Sequence, residues 1–597
     1  MDRKAWTVII FCVIGIMLNA YYAAKNQPPP AVATAAPAPT PAAEKSPVAQ
    51  PAASTVADSK PVQEQRHSIT IGTVTWELSS AGGGIARAVL KGKDEIVLNT
   101  HGKEPVGALR HDPSGRDGIK YTMLDASSKG VMFSGTTKDG IVVKKTYSIK
   151  EGEQSDEHLL ALKLELHNPG ATTFAFDKFY LYAGAAKSLR PDDIQKPSFF
   201  WNNAGDAYNH DSNWFGSGWF SKNPLTFQQD FTNLRWGGVM SRFYAHIIST
   251  KDGVENQPGR LWSERFLVDH TGDEFNGTSG ADTDYAVEGA VGLPPVELKP
   301  GETKVYEYEV YLGPKQYHRL AAIERQRSFV MFYGMWGFIS RLFINLLNWL
   351  HTVTGSWGWA IVLLTIVVRL FLWPFHAKSQ RSMKRMGKLA PIMKEMQEKY
   401  KDDPQRQSQE VMKLYRDYGV NPIGGCVPML FQIPIFFGFF SMLGSAAELR
   451  GESFFWVKDL SLPDTVTHLF GFPINPLPLL MGITMFLQMK LTPQPATVDK
   501  TQQRIFMFMP FMFLIFCYAY AAALALYWTT QNIFSIGQSW IMKKFGTDDD
   551  GPLQKVERVK PGPAPVNPFA MPGQKPKKEK KTHGPRLGGG GTSSRSK

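Results

Sequence analysis

Trp357–Phe375 reads WGWAIVLLTIVVRLFLWPF, an apolar run with one charge, Arg369, past its midpoint. At 1.5 Å per residue such a run is the length of a bilayer span, since about 20 apolar residues cross the hydrocarbon. A purely water-exposed globule is thereby excluded, and Arg369 becomes the residue to explain. A guanidinium stays protonated, and facing lipid it costs roughly 2.5–3.5 kcal/mol on insertion scales. Lys378 lies nine residues further on, about 13 Å along a helix. Arg369 therefore snorkels, meets an anionic partner, or faces a wet cavity. The other apolar runs contain no Asp or Glu, so a permanent salt bridge in the membrane is not on offer. Water and an anion that comes and goes are the implied surroundings. Thr365, one turn earlier, shares the face of Arg369.

Outward from this run, the chain carries further apolar stretches although its mean hydropathy is −0.21. Ala5–Tyr22 follows Arg3 and Lys4 and reads as a cleavable signal peptide or, given its length, an uncleaved anchor. Ile423–Leu443 contains Pro428 and Pro434, Leu477–Met489 is short, and 505–541 is long enough for two spans divided near Ala521. Six spans result. Residues 376–421 hold eleven Lys and Arg against six acids, and 551–597 hold eleven against two. The positive-inside rule places both segments in the cytoplasm. The connection 446–475, with two basic residues against four acidic ones, suits the outer face. Both termini are then cytoplasmic and residues 25–352 periplasmic.

The expected organisation follows composition. Residues 1–24 form the anchor, and 25–66 (QPPPAVATAAPAPTPAA and its flanks) a Pro/Ala-rich tether that cannot bury a core. Residues 67–317 read as all-β. SITIGTVTWELSS and LLALKLELHNPG alternate with period two, and GTTKDGIVVKKTYSI holds an Asp139-Gly140 hairpin signal. In 318–352, Phe332, Trp336, Ile339, Phe343, Leu346 and Leu350 recur at helical spacing, with Ser340, Arg341, Asn345 and Asn348 between them. Arg341 argues against a span and the Trp residues for a helix in the interface plane, the alternative being a core helix of the β domain. Residues 353–545 form a helical core, and 546–597 a basic tail.

Within that core, 376–420 predicts a cytoplasmic helical hairpin. Its arms are Ser379–Lys401 and Pro404–Tyr418, with Asp403 as N-cap before Pro404. Its Met residues (Met383, Met386, Met393, Met396, Met412) serve hairpin packing or an adaptable contact with apolar chains. Cys12, Cys426 and Cys517 all lie in apolar runs, so the polar domain has no disulfide framework. Gln432 beside Pro434, and Thr529, Gln531 and Asn532 in YWTTQN, are polar groups that either bond between helices or join Arg369 in a hydrophilic pocket.

Four stretches resemble the bacterial YidC membrane insertases of the YidC/Oxa/Alb superfamily: TIVVRLFLWP, NPIGGCVPMLFQIPIF, LLMGITMFLQMKLTP and QQRIFMFMPFMF. A long outer domain after a first anchor is the Gram-negative pattern. The resemblance covers about residues 1–544, is strongest over 330–545, and implies a polytopic α-helical membrane protein. In it, five core helices enclose a groove open to cytoplasm and lipid, beside a large periplasmic β-supersandwich. It places Arg369 in that groove with Thr365 beside it, and gives substrate-contact roles to Gln432, Pro434, Tyr527 and Trp528. Tyr527-Trp528 stands where the family usually has an aromatic pair such as Tyr-Tyr. YAYAAALAL lacks the usual Pro and Gly punctuation between the last two spans.

The resemblance implies an insertase and chaperone for membrane proteins, not an enzyme, working without cofactor or metal. Its expected partners are nascent membrane proteins, the Sec translocase and anionic lipid. The ribosome joins them if the tail QKPKKEKKTHGPR binds RNA rather than lipid. A secondary transporter or channel would also use a membrane Arg, but would be expected to show internal repeats, which are not seen. An envelope sugar-active enzyme would need paired carboxylates, for which Asp192-Asp193 or Asp282 and Asp284 would have to serve.

Overall fold

The computed structural model describes residues 64–545 apart from 114–118, 153–154, 177, 189–192, 194, 217–224, 251–257, 269–284, 421–426, 471 and 492–499. The expected anchor, the tether up to residue 63 and the tail lie outside the described residues, as do Cys12, Cys426, Asp192, Asp282 and Asp284.

Residues 66–314 form antiparallel sheets. SITIGTVTWELSS becomes two strands, Arg66–Ile71 and Val74–Ser79, because Gly72 turns the chain at φ 54°. They belong to a four-stranded sheet. At the Asp139-Gly140 signal, Gly130–Thr136 pairs with Val142–Ile149, and Gly140 takes the left-handed φ of 83° that a side chain would resist. Both strands lie in a nine-stranded sheet with Leu159–His167, whose alternate residues are buried, and the twelve-residue Thr303–Pro314. A five-stranded sheet lies against it. Their shared core takes Phe133, Val143, Leu162 and Leu164 from the larger sheet and Leu181, Leu261 and Val287 from the smaller. The region is mostly β, as expected.

Strand Thr303–Pro314 leads into α1 (Tyr317–Ile323), whose Leu320 and Ile323 cover Phe200, Trp236 and Tyr311. The expected single helix over 318–352 is instead broken. After α1 come 3-10 turns at Arg325–Met331 and Gly334–Trp336, and only then α2 (Gly337–Thr354). Gly334, at φ 68°, and Phe332, at φ 44°, interrupt the helical backbone. The polar face also differs from expectation. Ser340 is buried, its Oγ donating to the Gly438 carbonyl at 3.0 Å, whereas Phe338, Leu342, Trp349 and Val353 are exposed.

Gly355, left-handed at φ 66°, ends α2, and α3 (Trp357–Lys388) begins two residues later. It runs through Pro374 without stopping, so the hairpin's expected first arm does not start at Ser379. The break comes at Leu389, before α4 (Ala390–Lys399). The second arm, α5 (Pro404–Asp417), begins at the expected cap: the Asp403 carboxylate accepts from Arg406 N at 3.0 Å. Within the hairpin, Tyr415 Oη lies 3.3 Å from Met393 Sδ, so Met393 is packing, whereas Met412 is exposed.

The remaining helices are α6 (Val427–Ser445), α7 (Pro476–Leu491), α8 (Lys500–Cys517) and α9 (Ala522–Phe545). The last two part at Tyr518–Ala521, where Ala522 N and Ala523 N donate to the carbonyls of Leu462 and Leu460. Backbone capping by the α6–α7 connection thus replaces Pro and Gly punctuation. Among the described residues one helix, α3, is long and apolar enough to cross a membrane; the apolar Phe431–Ser445 and Pro476–Leu491 are shorter.

Candidate functional site

The apolar face of α3 packs Ala360, Ile361 and Leu364 into a core shared with Phe439, Met442 and Tyr527. The same face then carries polar groups into that core. Thr365 is buried and returns its hydroxyl to the Ile361 carbonyl at 2.8 Å, satisfying itself within the helix. Arg369, one turn on, is only 6% exposed. Its Nη1 donates to His376 Nε2 at 3.2 Å, which fixes that nitrogen as the acceptor. Among the described residues no carboxylate pairs with the guanidinium. One hydrogen bond leaves most of its five donors without a protein partner.

Across from α3, Gln432 on α6 donates from Nε2 to Tyr527 Oη at 3.4 Å and to Gln531 Oε1 at 3.3 Å. Tyr527 is buried with its ring stacked on Phe439, centroids 4.0 Å apart. Its hydroxyl is close enough to Arg369 to interact electrostatically. Pro434 lies inside α6, where its missing N–H removes one rung of the helical ladder. Arg369, Thr365, Gln432 and Tyr527 thus belong to one region.

Trp528 does not join them. Consecutive residues on a helix point about 100° apart, and Trp528 turns to Phe436 and Phe513, centroids 5.0 and 4.8 Å away. Asn532 also faces elsewhere, its Nδ2 donating to Thr484 Oγ1 at 3.1 Å and Met481 O at 3.3 Å on α7. It is an interhelical bond. Thr529 is buried beside them in sequence, and its hydroxyl has no hydrogen-bond partner among the described residues.

Sequence reasoning missed His376, Ser379, Ser535 and Gln538. Ser379, Ser535 and Gln538 are buried, and Gln538 Nε2 has no partner among the described residues. The signal was present as spacing: Thr365, Arg369, His376 and Ser379 follow one helical stripe on α3, and Gln531, Ser535 and Gln538 another on α9. A fixed cation with unfilled donors, bordered by amide and hydroxyl groups, can hold water and an acidic or carbonyl-rich chain.

Comparison with known proteins identifies the family. Residues 349–549 match the family model described as 60Kd inner membrane protein, and 116–346 match the YidC periplasmic domain. The membrane protein insertase YidC of Legionella pneumophila is 31% identical over 429 residues, 71% of this chain and 70% of that protein. That of Pelobacter propionicus is 29% identical over 579 residues, 92% of this chain and 99% of that protein. The match to the Syntrophobacter fumaroxidans insertase is 44% identical but covers 41% of this chain and spans only 45% of that protein. Several other relatives are likewise matched over little more than half their length. A crystal structure of an active YidC insertase with its first transmembrane domain resolved overlays 80% of this chain and 92% of its own, at 16% identity and a TM-score of 0.34. A periplasmic-domain match directly followed by an inner-membrane match, with a relative aligned over two thirds of both chains, leaves one assignment: the chain belongs to the YidC membrane protein insertase family, in the form that carries a periplasmic domain.

Proposed function

We propose that this protein inserts membrane segments into the cytoplasmic membrane and assists their folding, alone or with the Sec translocase. The observation that carries the reading is Arg369, buried with His376 as its one hydrogen-bond partner among the described residues and near Tyr527, which Gln432 bonds. In this reading α3 and α6–α9 cross the membrane, with an anchor before residue 25 as the sixth span. Both termini and the α4–α5 hairpin face the cytoplasm, and the β domain the periplasm.

An incoming chain brings a polar flank and an apolar segment. The flank enters beside Arg369, where the guanidinium offsets part of the cost of desolvating carboxylates and carbonyls. The apolar segment leaves into lipid, driven by transfer of about 20 residues from water. Membrane potential adds up to ~2.3 kcal/mol per charge per 100 mV. The chemistry asks for a charge that stays on and a cavity that excludes catalysis. Pro434 and Trp528 line the exit, and the basic tail meets ribosomal RNA or anionic lipid. The test is insertion of a small, acidic-flanked membrane protein into vesicles containing Arg369→Ala or Arg369→Lys protein. Insertion lost in the Ala variant and retained in the Lys variant supports the reading. Insertion unchanged in the Ala variant overturns it.

A further inference from the structure

The described residues leave an unusual group of apolar side chains outside the protein, at the end of the helical region where α6 stops and α7 starts. Thr467–Leu469 pairs with Phe472–Ile474 as a small hairpin. Phe470, at its tip, is 100% exposed and holds a φ of 52°, a conformation disfavoured for a bulky side chain. Leu469 and Phe472 beside it are also exposed. In the preceding loop, Phe455 repeats the pattern: exposed, with φ 51°, next to half-exposed Trp456. Trp359, in the first turn of α3, is 6.0 Å from Phe455 between ring centroids.

The loop and the hairpin that carry these side chains are held in place by polar contacts. Asp464 Oδ2 accepts from Trp456 Nε1 at 3.1 Å and from Leu477 N, the first turn of α7, at 2.6 Å. Asn475 Nδ2 donates to the Tyr518 carbonyl at 2.7 Å, and Tyr518 Oη to the Pro473 carbonyl, bolting the hairpin base to the α8–α9 break. The hairpin is therefore anchored at the level where these helices end, with its apolar tips pointing away from the protein.

Length says what covers them. Helix α7 has 16 residues, about 24 Å, against a hydrocarbon core of about 30 Å. Its outward stripe is Leu480, Ile483, Leu487 and Leu491, and the hairpin adjoins the end of that stripe. We propose that Leu469, Phe470 and Phe472, flanked by Phe455 and Trp456, insert into the bilayer interface on the periplasmic face, completing the lipid-facing surface that α7 is too short to supply. The hairpin's unpaired edge groups keep its backbone at the headgroup boundary while the rings reach the acyl chains. Lipid contact would offset the backbone strain at Phe470, for which no packing within the protein compensates. The inference rests on the reading that α7 spans the membrane.

The test uses the full-length protein with Cys12, Cys426 and Cys517 replaced by Ala and one new cysteine carrying an NBD fluorophore. The sites are Phe470→Cys or Phe472→Cys on the hairpin, Ile483→Cys on α7, and Lys138→Cys in an exposed turn of the β domain. Each is reconstituted in phosphatidylethanolamine–phosphatidylglycerol vesicles with a trace of shallow spin-labelled phosphatidylcholine. At 470 and 472 the label should be quenched by the spin-labelled lipid and be several-fold less accessible to iodide than at 138. Iodide access at both hairpin positions equal to that at 138, with 483 shielded, overturns the hairpin's insertion alone. Iodide access at 483 overturns the span itself. Shielding at 470 that disappears on dilution of protein in lipid assigns the surface to a second copy of the chain and also overturns the proposal.

Discussion

Arg369 donates to His376, seven residues further along the same helix, at 3.2 Å. The contact exists only because α3 continues through Pro374; a helix ending there would point the imidazole elsewhere. His376 therefore holds the guanidinium along α3, toward the C-terminal end of the helix. His376→Ala should reduce insertion several-fold, less than Arg369→Ala, because the charge stays but its direction loosens. His376→Gln, whose amide oxygen can accept the same bond, should recover most of the loss. Insertion rates for the three variants check this; equal loss in Ala and Gln would show that acceptance of the Arg369 bond is irrelevant.

Arg242 links the β domain to the helical core. Its Nε donates to the Gly444 carbonyl at 2.9 Å, in the last turn of α6, and its Nη2 to the Ser461 carbonyl at 3.1 Å. Its Nη1 pairs with Asp193 at 3.1 Å, and both side chains are buried. Breaking such a buried pair costs on the order of 3–5 kcal/mol. The neighbouring Lys93–Glu452 pair is partly exposed and contributes little. Arg242→Ala should raise hydrogen exchange across residues 444–462 by at least tenfold. Arg242→Lys, which keeps a charge but not the three-way fork, should fall between. Unchanged exchange in the Ala variant would mean that the two parts are held by something else.

Stability of the β domain should fall on acidification. His210 is stacked on Trp214 at 3.8 Å and buried, and burial pushes its pKa down to about 4; His246 is pushed down to about 4 for the same reason. The unfolded chain takes up these protons near pH 6.5, the folded chain only near 4. Stability is therefore full above about pH 6.5 and declines as pH falls toward 4, by up to about 3 kcal/mol per histidine. Near-UV circular dichroism melts at pH 7.5 and 4.5 should show the loss, and His210→Phe should flatten it. A His210→Phe protein with the same pH slope would remove that residue from the account.

The sequence pattern placed the break between the last two helices within a few residues, and it marked Arg369 and Thr365, because charge and period are carried by the residues themselves. What it could not carry were contacts made to carbonyls. Arg242 finds its partners 202 and 219 residues away, on groups that every residue possesses. Nor could it carry the divergence of Tyr527 and Trp528, whose adjacency in sequence becomes separation around the helix. His376 lay just past Phe375, where the span was expected to end, so its period was not followed.

Close approach of α2 and α6 depends on Gly438. A Cβ there would lie 2.7 Å from Ile339 Cγ2 and 3.4 Å from the Phe343 ring, while the Gly438 carbonyl accepts from Ser340 Oγ. Helices in membranes associate through such small residues, since apolar burial against lipid gives no gain. Gly438→Ala should destabilise by about 1–3 kcal/mol through overpacking, and Gly438→Val by more. Ile339→Ala deletes the colliding methyl group. Combined with Gly438→Ala, it should recover much of the loss, so that the double variant is more stable than the two single effects added together. Thermal unfolding of the purified protein in detergent measures all four forms. Simple additivity would show that the two helices do not meet at Gly438 and Ile339.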